Sequence, residues 1–225
     1  MTDEKRELNN TCKDDPSSIF TLIKRGEYEV AYQLVMNNVV SINTLDCVGN
    51  DVVCRMLKAK QYDYVIELIK KRNWNVNNQN EDGNTFGHIL ACDNSLMAVK
   101  VVEQLTKKSN YLPNIKNKKG ETAMELALNN NYLCTAFKLL EDKRFNDIDV
   151  FSFKNIFNAT IKNKLYGKYS KITNLEIIVE NLEKKELSSS MKDLIDNIND
   201  NIDVIKRDIM NNRTNLLEIL IDNYC

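Results

Sequence analysis

Three glycines, Gly49, Gly83 and Gly120, stand 34 and 37 residues apart, each within a stretch of the same kind. No other feature restricts the fold as much. A period of roughly 20 to 50 residues marks stacked units, none of which can bury its apolar face alone. The clearest copy is Asn80-Glu81-Asp82-Gly83-Asn84-Thr85-Phe86-Gly87-His88-Ile89-Leu90-Ala91. A tight-turn glycine is followed by Thr85, then by His88, then by a helical run ending in small residues. Each turn glycine is expected at a positive φ, which a side chain would oppose.

The segments around these turns supply helices in pairs. Residues 1–15 read as a polar tail, closing on Asp15-Pro16, an N-cap followed by a proline at the first helical position. A helix over 17–25 stops at Gly26, and a second places Tyr28, Ala31, Tyr32 and Val35 at i, i+3, i+4, i+7. The exit is Val40-Ser41-Ile42-Asn43. The next unit turns at Asp46 to Asp51, runs a helix to Lys58, gathers Tyr62, Val65, Ile66 and Ile69 on a second, and leaves through Trp74-Asn75-Val76-Asn77. The stretch at Gly83 leads to a helix through Ala91, another with Ala98, Val101, Val102 and Leu105, and an exit at Pro113-Asn114-Ile115. A last copy turns at Asn117 to Thr122, continues to Leu128, and adds a helix with Leu133, Ala136, Phe137 and Leu140.

This frame resembles the ankyrin repeat, whose signature is similar to D-x-x-G-x-T-P-L-H-x-A-A followed by a second helix and a V-N exit. Gly83, Thr85, His88, Ala91 and the preceding Val76-Asn77 carry the match, with Phe86 in place of Pro and Gly87 in place of a buried Leu. The earlier copy keeps Asp46 and Gly49. The later one keeps Gly120, Thr122, Leu126 and Ala127 but has Glu125 at the His position. The resemblance covers residues 17–145 and implies an all-α, ankyrin-type helix-turn-helix solenoid with a C-terminal helical cap. About four helix pairs would fill residues 16–145. It also implies structural roles for Gly49, Gly83, Thr85, His88, Gly120 and Thr122, with His88 hydrogen-bonding neighbouring turns. Degenerate, Asn- and Lys-rich proteins of this look resemble those of large DNA viruses or protists.

Beyond residue 145 the pattern changes, and residues 146–225 read as a separate helical region. Phe151, Phe153, Ile156, Phe157 and Ile161 predict a helix broken at Gly167. Thr173-Asn174-Leu175-Glu176 is a capping box opening a helix to about Lys185. Met191, Ile195, Ile198, Ile202, Ile205 and Ile209 form a stripe spaced 4, 3, 4, 3, 4, and Leu216, Leu217, Ile219 and Leu220 a final helix. The stripe suits a helix packed on its own domain. A dimerising helix is the alternative, though the run spans fewer heptads than a persuasive coiled coil.

The 31 basic and 32 acidic side chains nearly cancel, against the basic excess expected of a nucleic-acid binder. The clusters Lys70-Lys71-Arg72 and Lys116 to Lys119 are short enough to be solvated loop charge. Cys12, Cys47, Cys54, Cys92, Cys134 and Cys225 form no C-x-x-C pair and His88 is the lone imidazole, so ordinary zinc-ligand spacing is missing. Cys54, Cys92 and Cys134 fall on predicted helices, where thiols serve as small buried apolar groups. The charged N-terminus lacks a signal-peptide core, no apolar run reaches membrane-spanning length, and reduced thiols in the cytoplasm, or the nucleus, are expected. His88 has no nucleophile or orienting carboxylate at a recognisable spacing. No phosphate-cradling run follows Gly83 or Gly120.

The expectation is therefore a non-enzymatic adaptor, without cofactor or metal and monomeric, binding a partner protein through its turn tips and concave face. The tips would be Cys47, Val48, Asn50, Glu81, Asp82, Asn84, Lys118, Lys119 and Glu121, running from neutral through acidic to basic. Trp74, just before a turn, would be partly exposed, wedged between repeats or anchoring an interface. The alternative function is self-assembly through the Met191–Ile209 helix.

Overall fold

The computed structural model describes residues 15–130, 132–145, 176, 179, 180, 182, 183 and 187–211. The expectations for residues 1–14, the helix of Phe151 to Ile161, Gly167, the capping-box residues Thr173 to Leu175 and the final leucine-rich helix lie outside these. The chain divides into two compact units, Met1–Ala123 and Met124–Cys225. The described residues are helical and hold no strand, only an isolated bridge between Leu45 and Asp51.

In the first unit, Asp15 accepts from the Ser17 N–H and starts a single 3-10 turn, Pro16–Ser18, which leads into α1 (Ile19–Arg25). Then follow α2 (Tyr28–Met36), α3 (Val52–Lys58), α4 (Tyr62–Ile69), α5 (Phe86–Leu90) and α6 (Leu96–Thr106). None exceeds 11 residues. Isolated helices shorter than about 12–15 residues are marginal in water, so packing must hold these. Within each pair α1 meets α2, α3 meets α4 and α5 meets α6. Between pairs, α1–α3–α5 form one layer and α2–α4–α6 another. The core lies between them: Ile19, Leu22, Val53, Met56 and Leu90 from one layer, Leu34, Val35, Val65, Leu68, Val101 and Leu105 from the other, all buried. Each such side chain contributes about 1.5–3 kcal/mol when fully buried.

The stacking devices recur with the repeat. Asn43 donates to the Asn73 carbonyl at 2.7 Å and accepts from the Asn75 N–H at 2.7 Å. One unit on, Asn77 does the same with the Asn110 carbonyl at 2.6 Å and the Leu112 N–H at 2.9 Å. The Lys71 ammonium reaches the Val35 carbonyl at the end of α2, and Lys108 reaches the Ile69 carbonyl at the end of α4. A cation there also meets the negative end of the helix dipole.

Trp74 is not partly exposed. It retains 1% of its surface, packs edge-on against Phe86 at 5.0 Å, lies under the Lys108 ammonium, and donates its indole N–H to the Asp51 carboxylate at 2.8 Å. The departures from the repeat signature fit together here. Phe86 supplies the edge contact, and Gly87 leaves room for the Tyr111 hydroxyl, which would lie 2.9 Å from an added Cβ.

In the second unit the described helices are α7 (Ala123–Asn129, which opens at the boundary), α8 (Leu133–Leu140), α9 (Ser189–Asp200) and α10 (Ile202–Met210). The isoleucine stripe is not one continuous helix. Asn201, at φ −110°, caps α9 and separates it from α10. Met191, Leu194, Ile195, Ile198 and Ile205 are buried, so most of the described stripe is already covered in the single chain.

Candidate functional site

Three side chains, each three residues ahead of a turn glycine, fold the turns. The Oδ1 of Asp46 accepts from the Val48 and Asn50 N–H groups, that of Asn80 from Asp82 and Asn84, and that of Asn117 from Lys119 and Glu121. Short Asp and Asn side chains do this because they can imitate a backbone turn. The glycine of each turn takes the left-handed conformation, with φ of 79° at Gly49, 75° at Gly83 and 79° at Gly120.

Consecutive turns are joined by their backbones. The Glu81 N–H donates to the Val48 carbonyl at 3.0 Å, and the Lys118 N–H to the Asp82 carbonyl at 3.0 Å. The approach is close: a Cβ at Gly83 would lie 2.7 Å from the Lys118 nitrogen. Asn80 donates to the Asn50 Oδ1 and Asn117 to the Asn84 Oδ1, both at 3.1 Å. Gly49, Gly83 and Gly120 therefore belong to successive rungs of one row.

Below the row, Asp51, Thr85 and Thr122 stand at equivalent places, buried. Asp51 caps α3 through the Cys54 N–H at 2.7 Å. Thr85 and His88 form a capping box, with the Thr85 N–H donating to His88 Nδ1 at 3.1 Å. That assigns the neutral tautomer with the proton on Nε2, which donates to the Glu121 carbonyl at 2.9 Å. The ring is 1% exposed, with Nδ1 engaged by Thr85 of its own turn and Nε2 reaching the next.

Burial opposes ionisation of Asp46, yet the Asn50 and Val48 N–H groups and the Arg55 guanidinium outweigh it and hold the carboxyl below its ordinary value. Asp51 goes the other way, pushed up by its burial against the opposing Cys54 and Trp74 hydrogen bonds.

No family model matches this sequence, and no curated protein matches it either. Among solved structures, the crystal structure of EF0377, an ankyrin repeat protein, superposes with a TM-score of 0.55 at 14% identity, covering 75% of this chain and 81% of that one. The fold is of the ankyrin type.

The row separates the expected tip residues. Cys47, Glu81, Asp82, Lys118 and Lys119 are exposed, and Val48, Asn84 and Glu121 are half-buried. Asn50 is not a free tip: it is 1% exposed, its Oδ1 taken by Lys58 and Asn80. Among the described residues the side chains of Glu81, Asp82, Lys118 and Lys119 form no hydrogen bond or ion pair. Cys54 is buried as a helical thiol should be, but Cys92 and Cys134 are exposed. Among the described residues no three His, Cys, Asp or Glu side chains gather as a metal-holding group, and no helix is long and apolar enough to cross a membrane.

Asn80 and Asn117 were not singled out in the sequence as turn anchors. The signal was present as Asp or Asn three residues before each glycine. A cleft of about 750 Å³ was also missed; it lies beside the first turn, lined by Phe20, Ile23, Lys24, Leu45, Arg55 and Lys58 among others. It draws on residues from three separate segments, so no local motif announces it.

Proposed function

We propose that the chain is a non-enzymatic protein-recognition module that grips a partner protein along its row of turn tips and the adjoining α1–α3–α5 layer. The observation that carries this is the division of labour within the turns. Their backbones are locked to one another, while Glu81, Asp82, Lys118 and Lys119 are left exposed and uncommitted among the described residues. A rigid scaffold presenting free side chains lowers the ordering cost of binding. The kinship of fold with an ankyrin repeat protein is an analogy in the same direction.

The mixed order of charge along the row favours a protein partner over a nucleic acid or a membrane. Burial of the Met191 stripe favours a monomer over self-assembly. The repeat region is taken as residues 16–145 and the helical region as 146–225. The thiols of Cys47 and Cys54 suit the reducing cytoplasm or nucleus. The abundance of Asn, Lys and Ile is the support for a source among large DNA viruses or protists.

The test is affinity capture with the full chain and with Glu81→Lys/Asp82→Lys, then titration of the captured protein against both. Charge reversal should weaken binding by about tenfold or more. Equal affinity for the two forms removes the tips from the interface.

A further inference from the structure

We infer that the cleft beside the first turn docks an acidic peptide segment of a partner protein, with one large apolar side chain of that segment seated on the cleft floor. This rests on the protein-recognition reading above and names the chemistry of its ligand. The floor is apolar: Phe20 and Ile23 from α1, and Leu45, which keeps 45% of its surface exposed. The rim is cationic. Lys24, Arg55 and Lys58 line the cleft against a single acid, Asp46. That acid is already occupied, one oxygen by the Val48 and Asn50 N–H groups and the other by Arg55 Nε. Among the described residues Lys24 has no hydrogen-bond or ion-pair partner, and Lys58 meets only the neutral Asn50 Oδ1 at 3.2 Å. The cations are thus in excess, and an anionic ligand would complement them.

The row of turns favours a peptide over other anions. In the second and third turns the residue after the anchoring Asn, Glu81 or Lys118, gives its N–H to a carbonyl of the preceding turn. Cys47 holds that place in the first turn. No turn of the row precedes it among the described residues, and its N–H has no acceptor among them. Cys47 lines the cleft. A peptide lying there can supply the carbonyl that continues the row while its carboxylates meet Lys24, Arg55 and Lys58.

The test is selection of a random dodecapeptide phage library on the immobilised full-length chain, followed by fluorescence anisotropy with a fluorescein-labelled consensus peptide. The expected consensus carries several Asp or Glu and one Trp, Phe or Leu. Its affinity should fall by about tenfold or more in Lys24→Glu/Lys58→Glu, two exposed positions whose substitution should leave the circular dichroism spectrum unchanged. A smaller fall is expected in Leu45→Ala, and a fall for the parent chain as NaCl rises from about 0.05 to 0.3 M. Several results would overturn the proposal: no enriched consensus, a basic or neutral one, unchanged binding to the double variant, or equally tight binding of an oligothymidylate of the same charge. The two proposals fail separately. If a captured partner is lost by Glu81→Lys/Asp82→Lys but kept by Lys24→Glu/Lys58→Glu, the tips stand and the cleft falls. The reverse pattern removes the tips and keeps the cleft.

Discussion

Gly83→Ala and Gly120→Ala impose the same backbone penalty in different surroundings, so their difference isolates the contact between turns. Both glycines sit near φ 75–79°, where a Cβ costs about 1–2 kcal/mol. Replacing glycine also stiffens the unfolded chain and returns about 0.4–1 kcal/mol. At Gly120 nothing lies within 4 Å of the added carbon, so the net loss should be about 1 kcal/mol. At Gly83 the same carbon meets the Lys118 nitrogen at 2.7 Å and the Asn117 carbonyl carbon at 3.2 Å. Both are backbone atoms, so the third turn must move, and its Lys118 bond to Asp82 must stretch. Overpacking of that kind costs about 1–3 kcal/mol, and losing the bond about another 1 kcal/mol. Gly83→Ala should therefore lose about 3–5 kcal/mol in total. Gly49→Ala, with Asn80 Cα at 3.1 Å, should fall between. Urea unfolding followed by fluorescence of Trp74, the sole tryptophan and buried in the same unit, reads the order directly. Equal losses at Gly83 and Gly120, within about 0.5 kcal/mol, would refute the turn-to-turn approach.

Trp74→Phe keeps most of the aromatic volume but deletes the donor to Asp51, and should cost about 1–3 kcal/mol in urea unfolding read by circular dichroism; no loss would mean that bond contributes nothing. His88→Ala removes two buried bonds and opens a cavity, so a loss of about 2–4 kcal/mol is expected, and one below about 1 kcal/mol would contradict the assigned network. Asp46 and Asp93 both ionise more readily folded than unfolded: burial opposes this, but hydrogen bonds to Asn50, Val48 and Arg55 in one case and to Tyr62 and Ser95 in the other prevail. Their stabilisation is present above the ordinary carboxyl value of 3.8 and is lost as pH falls below it through the folded values. Melting temperatures from pH 7 downward should show a shallower acid limb in Asp46→Asn than in the parent, and parallel limbs would count against the Asp46 contribution.

The helix pairs were legible because their spacing and stops are local: Gly26 ends α1 in a left-handed conformation, and Val65 and Ile69 mark the buried face of α4. The turn glycines were legible for the same reason. Tertiary partners were not. Nothing in the spacing of Asp51 and Trp74 says that a carboxylate 23 residues away would draw the tryptophan inside, so Trp74 looked partly exposed. Asn50 looked like a free tip because its neighbours in sequence are tips, whereas Lys58 and the next turn's Asn80 enclose it. The isoleucine stripe kept its period across Asn201 although the helix did not, since a break that preserves the apolar face leaves no trace in the pattern. The cleft was invisible for a related reason, being assembled from residues 17 to 59 by the stacking of the first two helix pairs.

Amide hydrogen exchange at Cys47, Glu81 and Lys118 tests the continuous row most directly. The three residues hold the same place in exposed turns, and only the last two donate to a preceding turn. Glu81 and Lys118 should therefore exchange slowly and Cys47 fast. Equally fast exchange at all three would contradict the joined row, and with it the rigid surface on which partner recognition depends.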